Sequence, residues 1–201
     1  MASTARRDRA HVSRDLVWYV AYGSNLCADR LACYLRGGTP AGGRRPTPGA
    51  RDPSPPRDWR RVVVPHPLWF GGPSRTWRGG PAFLDVEHVG EAVGRAWLVT
   101  RDQLADVVAQ ENGLPVGAVD LAEDHLRDGG VAVADGPYGR VVALAAVDGR
   151  PAATCTYVRR PAGRAPDPAY LEVVRAGLVE TGVPAADAHA TVRTVRFRDM
   201  P

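Results

Sequence analysis

The sequence predicts an α+β fold, in which a small mixed or antiparallel sheet precedes a helical C-terminal part. An apolar run at residues 16–21 leads directly into a segment with helical spacing at 26–35, which indicates a strand followed by a helix. Two later pairs of apolar runs have the spacing of β-hairpins, and helical periodicity dominates beyond residue 166. Strands grouped ahead of helices are typical of α+β domains.

The turn after the first strand is the most informative local feature. Residues 16–21 have the length and the Val, Trp and Tyr content of a buried strand. Gly23 then permits a sharp bend and a close approach to a ligand, and we expect Ser24 or Asn25 to cap the following helix. Free N–H groups at such a bend form a concavity suited to a carboxylate. Alternatively, this segment is a capped strand-to-helix turn that binds no ligand.

A long loop is predicted from residue 37 to residue 58. The segment contains six prolines and several glycines, so it cannot hold a helix or a central strand. Loops of this length are commonly functional or mobile. A strand broken by prolines is predicted to follow at residues 61–70.

Two hairpins are predicted in the middle of the chain. The first pairs residues 82–89 with residues 92–99 through a turn near Gly90. The second pairs residues 141–147 with residues 152–159. Its turn is Asp-Gly at 148–149, a dipeptide that favours two-residue hairpin loops, and a short strand at 131–134 precedes it.

One predicted helix places a carboxylate where an apolar residue is expected. Thr100 and Gln103 form a capping box at its start, and the i, i+3 and i+4 positions of one face are apolar. The i+7 position of that face is Glu111. Burial of a carboxylate is costly and raises its pKa, which makes Glu111 a candidate proton carrier near neutral pH. Alternatively, the helix frays at Asn112 and Gly113, and Glu111 reaches water.

The C-terminal part is predicted to contain two helices. Asp167 is the expected N-cap of the first, with Pro168 at the first helical position and Gly182 after its end. A shorter helix is predicted at residues 184–192. The expected inner face of the first helix consists of Leu171, Val174, Arg175 and Leu178.

Four segments together resemble the γ-glutamyl cyclotransferase-like proteins. Residues 22–26, Tyr-Gly-Ser-Asn-Leu, resemble the motif that follows the first strand of that family. Thr-Trp-Arg-Gly-Gly at 76–80, the strand and helix that end in Gln110-Glu111, and Tyr157 on a late strand match further family segments in the same order. The resemblance spans roughly residues 17–182 and implies a compact, curved-barrel fold.

The resemblance also implies a reaction and a set of site residues. In that reaction the α-amine of a γ-glutamyl group attacks its own γ-carbonyl, which yields 5-oxoproline and a released amine. Glu111 would move the protons as catalytic residue, without any metal or cofactor. Packing in the core is the alternative role for Tyr157. The implied substrate-binding residues are Tyr22, Gly23, Ser24, Asn25, Leu26 and Tyr157.

One departure from the family bears on the substrate. The family's aromatic residues shortly after the catalytic glutamate have no counterpart at residues 112–117. We therefore expect a biosynthetic or carrier-bound γ-glutamyl intermediate rather than glutathione. Two alternatives stay open, namely a non-catalytic interaction module that uses the loop at 37–58, and a related acyl-amide cleavage or transfer by the same glutamate.

Charge and composition narrow the range of partners. The net charge is +4 and every cationic side chain other than histidine is arginine, but no basic stripe interleaved with aromatic residues is present. A small-molecule γ-glutamyl substrate is expected, and nucleic acid is not. The arginine-rich loop leaves an acidic carrier protein open as a partner. The sequence does not predict the oligomeric state.

The remaining sequence features concern compartment and domain limits. No apolar run has membrane-spanning length, and residues 1–14 lack the apolar core of a secretory signal. Three cysteines without metal-ligand spacing fit reduced thiols in the cytoplasm. We expect a flexible basic arm at residues 1–15 and a single domain at 16–201.

Overall fold

A computed structural model describes residues 16–127 and 129–193 of the chain, so the arm predicted at 1–15 lies outside the described residues. The described strands are β1 (Leu16–Ala21), β2 (Trp59–Val64), β3 (Leu68–Phe70), β4 (Ala82–Leu84), β5 (Ala92–Thr100), β6 (Val131–Ala132), β7 (Arg140–Val147) and β8 (Arg150–Thr156). The described helices are α1 (Ala28–Arg36), α2 (Arg101–Glu111), α3 (Pro168–Glu180) and α4 (Ala185–Arg193). None of these helices has both the length and the apolar content needed to cross a membrane.

A mixed six-stranded sheet forms the centre of the fold, in the order β2-β5-β1-β8-β7-β6. β1 is antiparallel to β5 and parallel to β8, with Trp18 opposite Ala152. Helices and strands thus combine as the α+β prediction requires, and of the two predicted sheet types, mixed and antiparallel, the structure has the mixed one.

β1 is buried on both faces, which explains its uninterrupted apolar sequence. Val17, Tyr19 and Ala21 belong to one core cluster, packed with residues of α1 and α2. Trp18 and Val20 belong to a second cluster, packed with residues of α3 and of the two-stranded sheet. Side chains alternate across a strand, so β1 contributes to both cores, and its C-terminal end lies where they meet.

The first predicted hairpin is wrong. β4 pairs with β3 in a separate two-stranded sheet, in which Trp69 lies opposite Phe83, and it does not pair with β5. The reason is that both edges of β5 are already occupied, since β1 pairs with one edge and β2 with the other.

The second hairpin and the predicted caps of α2 and α3 are confirmed. Asp148 and Gly149 have φ angles of 46° and 71°, so both turn residues are in the left-handed region that a type I′ turn requires. Thr100 and Gln103 form the complete capping box of α2. Asp167 accepts a hydrogen bond from Ala169 N at 2.8 Å at the start of α3.

The inner face of α3 differs from the prediction. Gly177 allows the helix to lie directly against the chain after the first turn, where a Cβ at this position would lie 2.5 Å from Cys27 N. Tyr170 at the start of the helix is also buried, and its hydroxyl accepts a hydrogen bond from Ala82 N at 3.0 Å. The buried positions are Tyr170, Val174, Gly177 and Leu178. Val174 and Leu178 are therefore confirmed, whereas the other two predicted residues, Leu171 and Arg175, are only half-buried.

The loop at residues 37–58 contains no helix and no strand of either sheet, as predicted. Hydrogen bonds nevertheless attach it to α2. Asp106 is fully buried and accepts hydrogen bonds from Arg51 N at 2.9 Å and from Arg51 Nε at 3.0 Å. Gln103 Nε2 donates to Ser54 O at 2.9 Å, and Gly49 N donates to the side chain of Gln110 at 3.3 Å. Polar positions 103, 106 and 110 of one helix therefore hold the loop in place.

Candidate active site

The turn between β1 and α1 is a 3-10 turn at Ser24–Leu26. The prediction that Ser24 or Asn25 caps the helix is wrong. The N-cap residue of α1 is Cys27, and its side chain makes no capping hydrogen bond. Instead, Ala28 N donates to the carboxylate of Glu180 on α3 at 3.0 Å.

The side chain of Asn25 links the turn to the glutamate. Its Nδ2 donates to Glu111 Oε1 at 3.1 Å and to the hydroxyl of Tyr19 at 3.0 Å, while its Oδ1 has no partner among the described residues. On the other side of the turn, Trp97 Nε1 donates to Asn25 O at 3.0 Å and Arg95 Nη1 donates to Leu26 O at 2.9 Å. The carbonyls of the turn are thus fixed by β5, and the N–H of Ser24 interacts with the hydroxyl of Tyr170 on α3.

Glu111 is the last residue of α2, and its carboxylate faces the interior rather than bulk water. Burial raises its pKa, and the charge of Arg30 and hydrogen bonds with Tyr34 and Asn25 only partly offset this effect. The helix does not fray here, since Asn112 serves as its C-cap and Asn112 Nδ2 donates to Val108 O at 2.7 Å. A buried carboxylate with a raised pKa can both accept and return a proton.

Arg30 and Tyr34 on α1 complete this group, and neither residue was predicted as part of the site. Arg30 is only 3% exposed, and its Nη2 donates to the Tyr34 hydroxyl at 2.7 Å. Its Nε and Nη1 have no partner among the described residues. The sequence pattern could have identified Arg30, because this residue occupies an apolar position of its helix just as Glu111 does.

A cavity of about 1,040 Å³ opens beside this group. The predicted site residues that line the cavity are Tyr22, Gly23, Ser24, Asn25 and Glu111. Leu26 is fully buried and packs in the core instead. The structure therefore places the first turn and Glu111 on the wall of one open cavity, which apolar side chains do not fill.

Tyr157 does not line the cavity. It follows the end of β8, and its hydroxyl donates to Asp85 Oδ1 at 2.7 Å, in contact with the ring of Phe83. The residue of this segment that lines the cavity is Cys155, whose carbonyl accepts a hydrogen bond from the Tyr22 hydroxyl at 2.6 Å. Burial raises the pKa of the Cys155 thiol, so that it stays protonated.

Aromatic side chains from distant segments form part of the cavity wall. Trp77 is buried and its ring contacts Tyr170 of α3 in an edge-on arrangement, with 5.5 Å between the centroids. Tyr138, in the segment between β6 and β7, lies next to the turn after Glu111, where its N–H donates to Asn112 Oδ1 at 3.0 Å. Residues 112–117 include no aromatic side chain, but Tyr138, which is 26 residues after Asn112, places one next to this segment.

Arginines dominate the charged lining of the cavity. Arg44 and Arg45 from the long loop and Arg75 from the segment before Trp77 are exposed and line it. Among the described residues that line the cavity, Glu111 is the only acid. Nowhere in residues 16–127 and 129–193 do three His, Cys, Asp or Glu side chains gather in a way that could hold a metal ion.

Comparison with solved structures shows the fold. A structure titled "Gamma-glutamyl cyclotransferase" matches with a TM-score of 0.53 and 19% identity, over 92% of this chain and 90% of that chain. A protein from Homo sapiens, refined as an ensemble, matches with a TM-score of 0.53 and 18% identity, over 93% and 92% of the two chains. YkqA from Bacillus subtilis matches with a TM-score of 0.52 and 15% identity, over 94% of this chain and 58% of its own. The chain thus has a γ-glutamyl cyclotransferase-like fold.

Comparison at the sequence level gives one curated relative and no family. The chain is 33% identical over 195 residues to Histone deacetylase 5 from Arabidopsis thaliana. The match covers 87% of this chain but only 30% of that protein, so the chain spans less than a third of the relative's length. No protein-family model matches the chain.

Proposed function

We propose that the protein cleaves a γ-glutamyl amide by cyclotransfer, releasing 5-oxoproline and a free amine. The observation that carries the proposal is the half-buried, inward-facing carboxylate of Glu111, which lines a large cavity and is hydrogen bonded to Asn25 of the first turn. The γ-glutamyl cyclotransferase-like fold and the resemblance of residues 22–26 to the family motif support the same reaction.

Glu111 performs the proton transfers of the proposed reaction. Its carboxylate removes a proton from the substrate's α-ammonium group, and the resulting amine attacks the γ-carbonyl carbon to form the ring C–N bond. The tetrahedral intermediate then collapses, and the bond between the γ-carbon and the leaving nitrogen breaks. Glu111 returns its proton to the leaving nitrogen, and its freed carboxylate then accepts the second proton of the ring nitrogen and passes it to the released amine, which leaves as an ammonium ion. The raised pKa of Glu111 favours both directions of transfer near neutral pH.

The turn after β1 holds the glutamyl part of the substrate. Gly23 and Ser24 line the cavity, and the N–H groups that begin the turn are suited to the substrate's α-carboxylate. Tyr22 forms the adjoining wall. Because nucleophile and electrophile belong to one molecule, the main task of these residues is to hold the folded-back conformer that brings the amine to the carbonyl.

The proposed substrate is a biosynthetic or carrier-bound γ-glutamyl intermediate in the cytoplasm, rather than glutathione. The volume of about 1,040 Å³ supports a large leaving group, since it slightly exceeds the range of about 300–1,000 Å³ for small-molecule sites. The exposed arginines at the mouth also suit an acidic carrier protein, by electrostatic attraction.

Release of 5-oxoproline from a panel of γ-glutamyl amides, followed by mass spectrometry, tests the proposal. We expect Glu111→Gln to lower kcat by a factor of about 10²–10⁴, the usual contribution of a general acid–base. Glu91→Gln, which changes an exposed glutamate away from the cavity, is the matched control and should keep full activity. Circular dichroism establishes that both variants are folded.

Two results would overturn the proposal. One is wild-type activity that survives in Glu111→Gln. The other is the absence of 5-oxoproline across the whole panel, which would favour a non-catalytic interaction module on the same fold.

A further inference from the structure

We propose that the mouth of the cavity is an anion subsite, formed by Arg44, Arg45 and Arg75, for a doubly charged group on the leaving-amine side of the substrate. This inference rests on the proposed function, which identifies that part of the substrate as the leaving amine. The shared ligand chemistry is a dianion, either a phosphate monoester or a pair of carboxylates.

The charges around the cavity are unbalanced. Four arginines and one glutamate line it in the described parts of the chain. Arg30 is buried next to Glu111, so the three arginines of the mouth carry the excess charge. No acidic side chain among the described residues lies within salt-bridge distance of these three. Guanidinium groups bind phosphate and carboxylate through paired hydrogen bonds, and three of them match a dianion better than a single charge.

Arg75 is held beside the proposed proton carrier. Its Nη1 donates to Asn112 O at 3.3 Å, one residue after Glu111. Its guanidinium occupies the space where a side chain at Gly113 would be, because a Cβ there would lie 1.4 Å from Arg75 Nη1. Gly113 has a φ angle of 68°, a further reason for glycine at this position. No aromatic residue is present at 112–117, and the guanidinium of Arg75 lies over Gly113 in this segment.

The long loop brings Arg44 and Arg45 to the same opening. Gly43 N donates to Pro40 O at 2.9 Å, and Arg44 N donates to Thr76 O at 3.1 Å. The second bond joins the loop to the residue directly after Arg75. Two segments more than 25 residues apart in the chain therefore present their arginines around one mouth.

The placement of the subsite assigns it to the leaving amine. The α-carboxylate of the glutamyl group is proposed to occupy the first turn. Glu111 is hydrogen bonded to Asn25 of that turn, and Arg75 is hydrogen bonded to the backbone of Asn112, the residue after Glu111. A substrate that reaches from the turn past Glu111 extends its leaving part towards the arginines. A phosphate monoester carries a charge of about −1.5 to −2 at neutral pH, which suits them.

Four γ-glutamyl amides that differ in the charge of the leaving amine test the subsite. The amines are O-phosphoethanolamine, aspartate, alanine and ethanolamine, which carry two, two, one and no negative charges apart from the amino group. We expect kcat/KM for the two dianionic substrates to exceed that for the ethanolamine amide by about tenfold or more. The phosphate and aspartate arms decide which dianion is preferred. Equal kcat/KM for neutral and dianionic substrates would overturn the inference while leaving the proposed function intact.

Variants that remove one positive charge test whether the arginines at the mouth cause the preference for dianionic substrates. Arg75→Gln should reduce the ratio of dianionic to neutral kcat/KM about fivefold or more, mainly through KM, while Arg75→Lys keeps part of it. Arg57→Gln removes the same charge from an exposed residue of the long loop that does not line the cavity, and it should leave the ratio unchanged. An equal effect of Arg57→Gln and Arg75→Gln would attribute the preference to net charge and overturn the subsite.

A binding measurement separates the two proposals. Isothermal titration of the wild type with free O-phosphoethanolamine, aspartate and ethanolamine requires no turnover. Binding of a dianionic amine that Arg75→Gln weakens supports the subsite even if no γ-glutamyl amide is cleaved. Failure of both dianionic amines to bind more tightly than ethanolamine overturns the subsite, whatever the activity assay shows.

Discussion

Glu111 and Arg30 carry opposite charges beside one cavity, where Arg30 is buried and Glu111 is half-buried. Arg30 is only 3% exposed and donates to the hydroxyl of Tyr34, which in turn interacts with the carboxylate of Glu111. Burial raises the pKa of Glu111, and the positive charge of Arg30 acts in the opposite direction. The balance of the two effects sets the pH at which the carboxylate becomes a base, so Arg30 is a positioning and charge-balancing residue.

Replacement of Arg30 should move the acidic limb of the pH–activity profile. Without the guanidinium, the charged carboxylate is less favoured and the pKa of Glu111 rises further. We expect Arg30→Gln to shift the acidic limb of kcat/KM to higher pH by about 1 unit. A pH profile of 5-oxoproline release measures the shift. Arg36→Gln, at an exposed position of the same helix, is the control and should leave the profile in place.

An unshifted profile in Arg30→Gln, with activity lowered equally at every pH, would contradict this assignment. Such a result would mean that Arg30 only maintains the packing of α1.

The sequence predicted one half of this charged pair and missed the other. Glu111 was found because a carboxylate occupied an apolar position of a helix, and the same argument applies to Arg30. Tyr138 was beyond such reasoning, because it reaches the site from a segment 26 residues after Asn112 and only tertiary packing brings the two together. Tyr157 was assigned by resemblance alone, and the structure places its hydroxyl on Asp85.

At the scale of elements, α2 has two functions on two faces. One face packs in the core and ends in Glu111, while a polar face holds the long loop. Asp106 is the centre of that polar face, since it accepts hydrogen bonds from both the backbone and the side chain of Arg51 and from Gly117 N. Within the loop itself, backbone hydrogen bonds join Gly38 to Thr47 and Gly43 to Pro40, and the side chains of α2 add anchors for residues 49–54.

Removal of the Asp106 carboxylate should destabilise the protein. Asp106→Ala leaves the N–H groups of Arg51 and Gly117 without their acceptor, and we expect a loss of about 2–4 kcal/mol in the free energy of unfolding. Urea unfolding at pH 7 measures the loss. Asp102→Ala removes an exposed carboxylate of the same helix, 3.8 Å from Arg51 Nη2, and should cost less than about 1 kcal/mol. Similar losses in the two variants would contradict the anchoring role.

Local signals predicted elements well and predicted pairing poorly. β1, the capping box of α2 and the turn at Asp148 each depend on a few adjacent residues, so the sequence was sufficient to find them. The pairing of β4 depends on which edges of β5 are free, and distant strands decide that. The loop at residues 37–58 was predicted as a loop, but its anchors lie more than 45 residues away on α2.

For the molecule as a whole, Asp85 joins the two sheets. It follows β4 of the small sheet and is 3% exposed. Its carboxylate accepts a hydrogen bond from Tyr157, directly after β8 of the large sheet, and lies 3.1 Å from Arg160 Nη2. His88 Nδ1 lies 3.0 Å from the same carboxylate. The joint matters for the site because Ala82 of β4 lines the cavity.

Asp85→Asn should weaken the joint in a pH-dependent way. Burial raises the pKa of Asp85, but hydrogen bonds from Tyr157 and His88 and the charge of Arg160 outweigh it and hold the pKa below its usual range. A depressed pKa in the folded state contributes stability above the unfolded pKa of about 3.9, and this stability is lost as pH falls through the folded pKa. We therefore expect a loss of about 2 kcal/mol at pH 7 that narrows below about pH 4. Thermal unfolding from pH 3 to pH 7 measures the difference, with Glu87→Gln as an exposed control. A constant difference between wild type and Asp85→Asn across that range would show that the charge of Asp85 does not hold the sheets together.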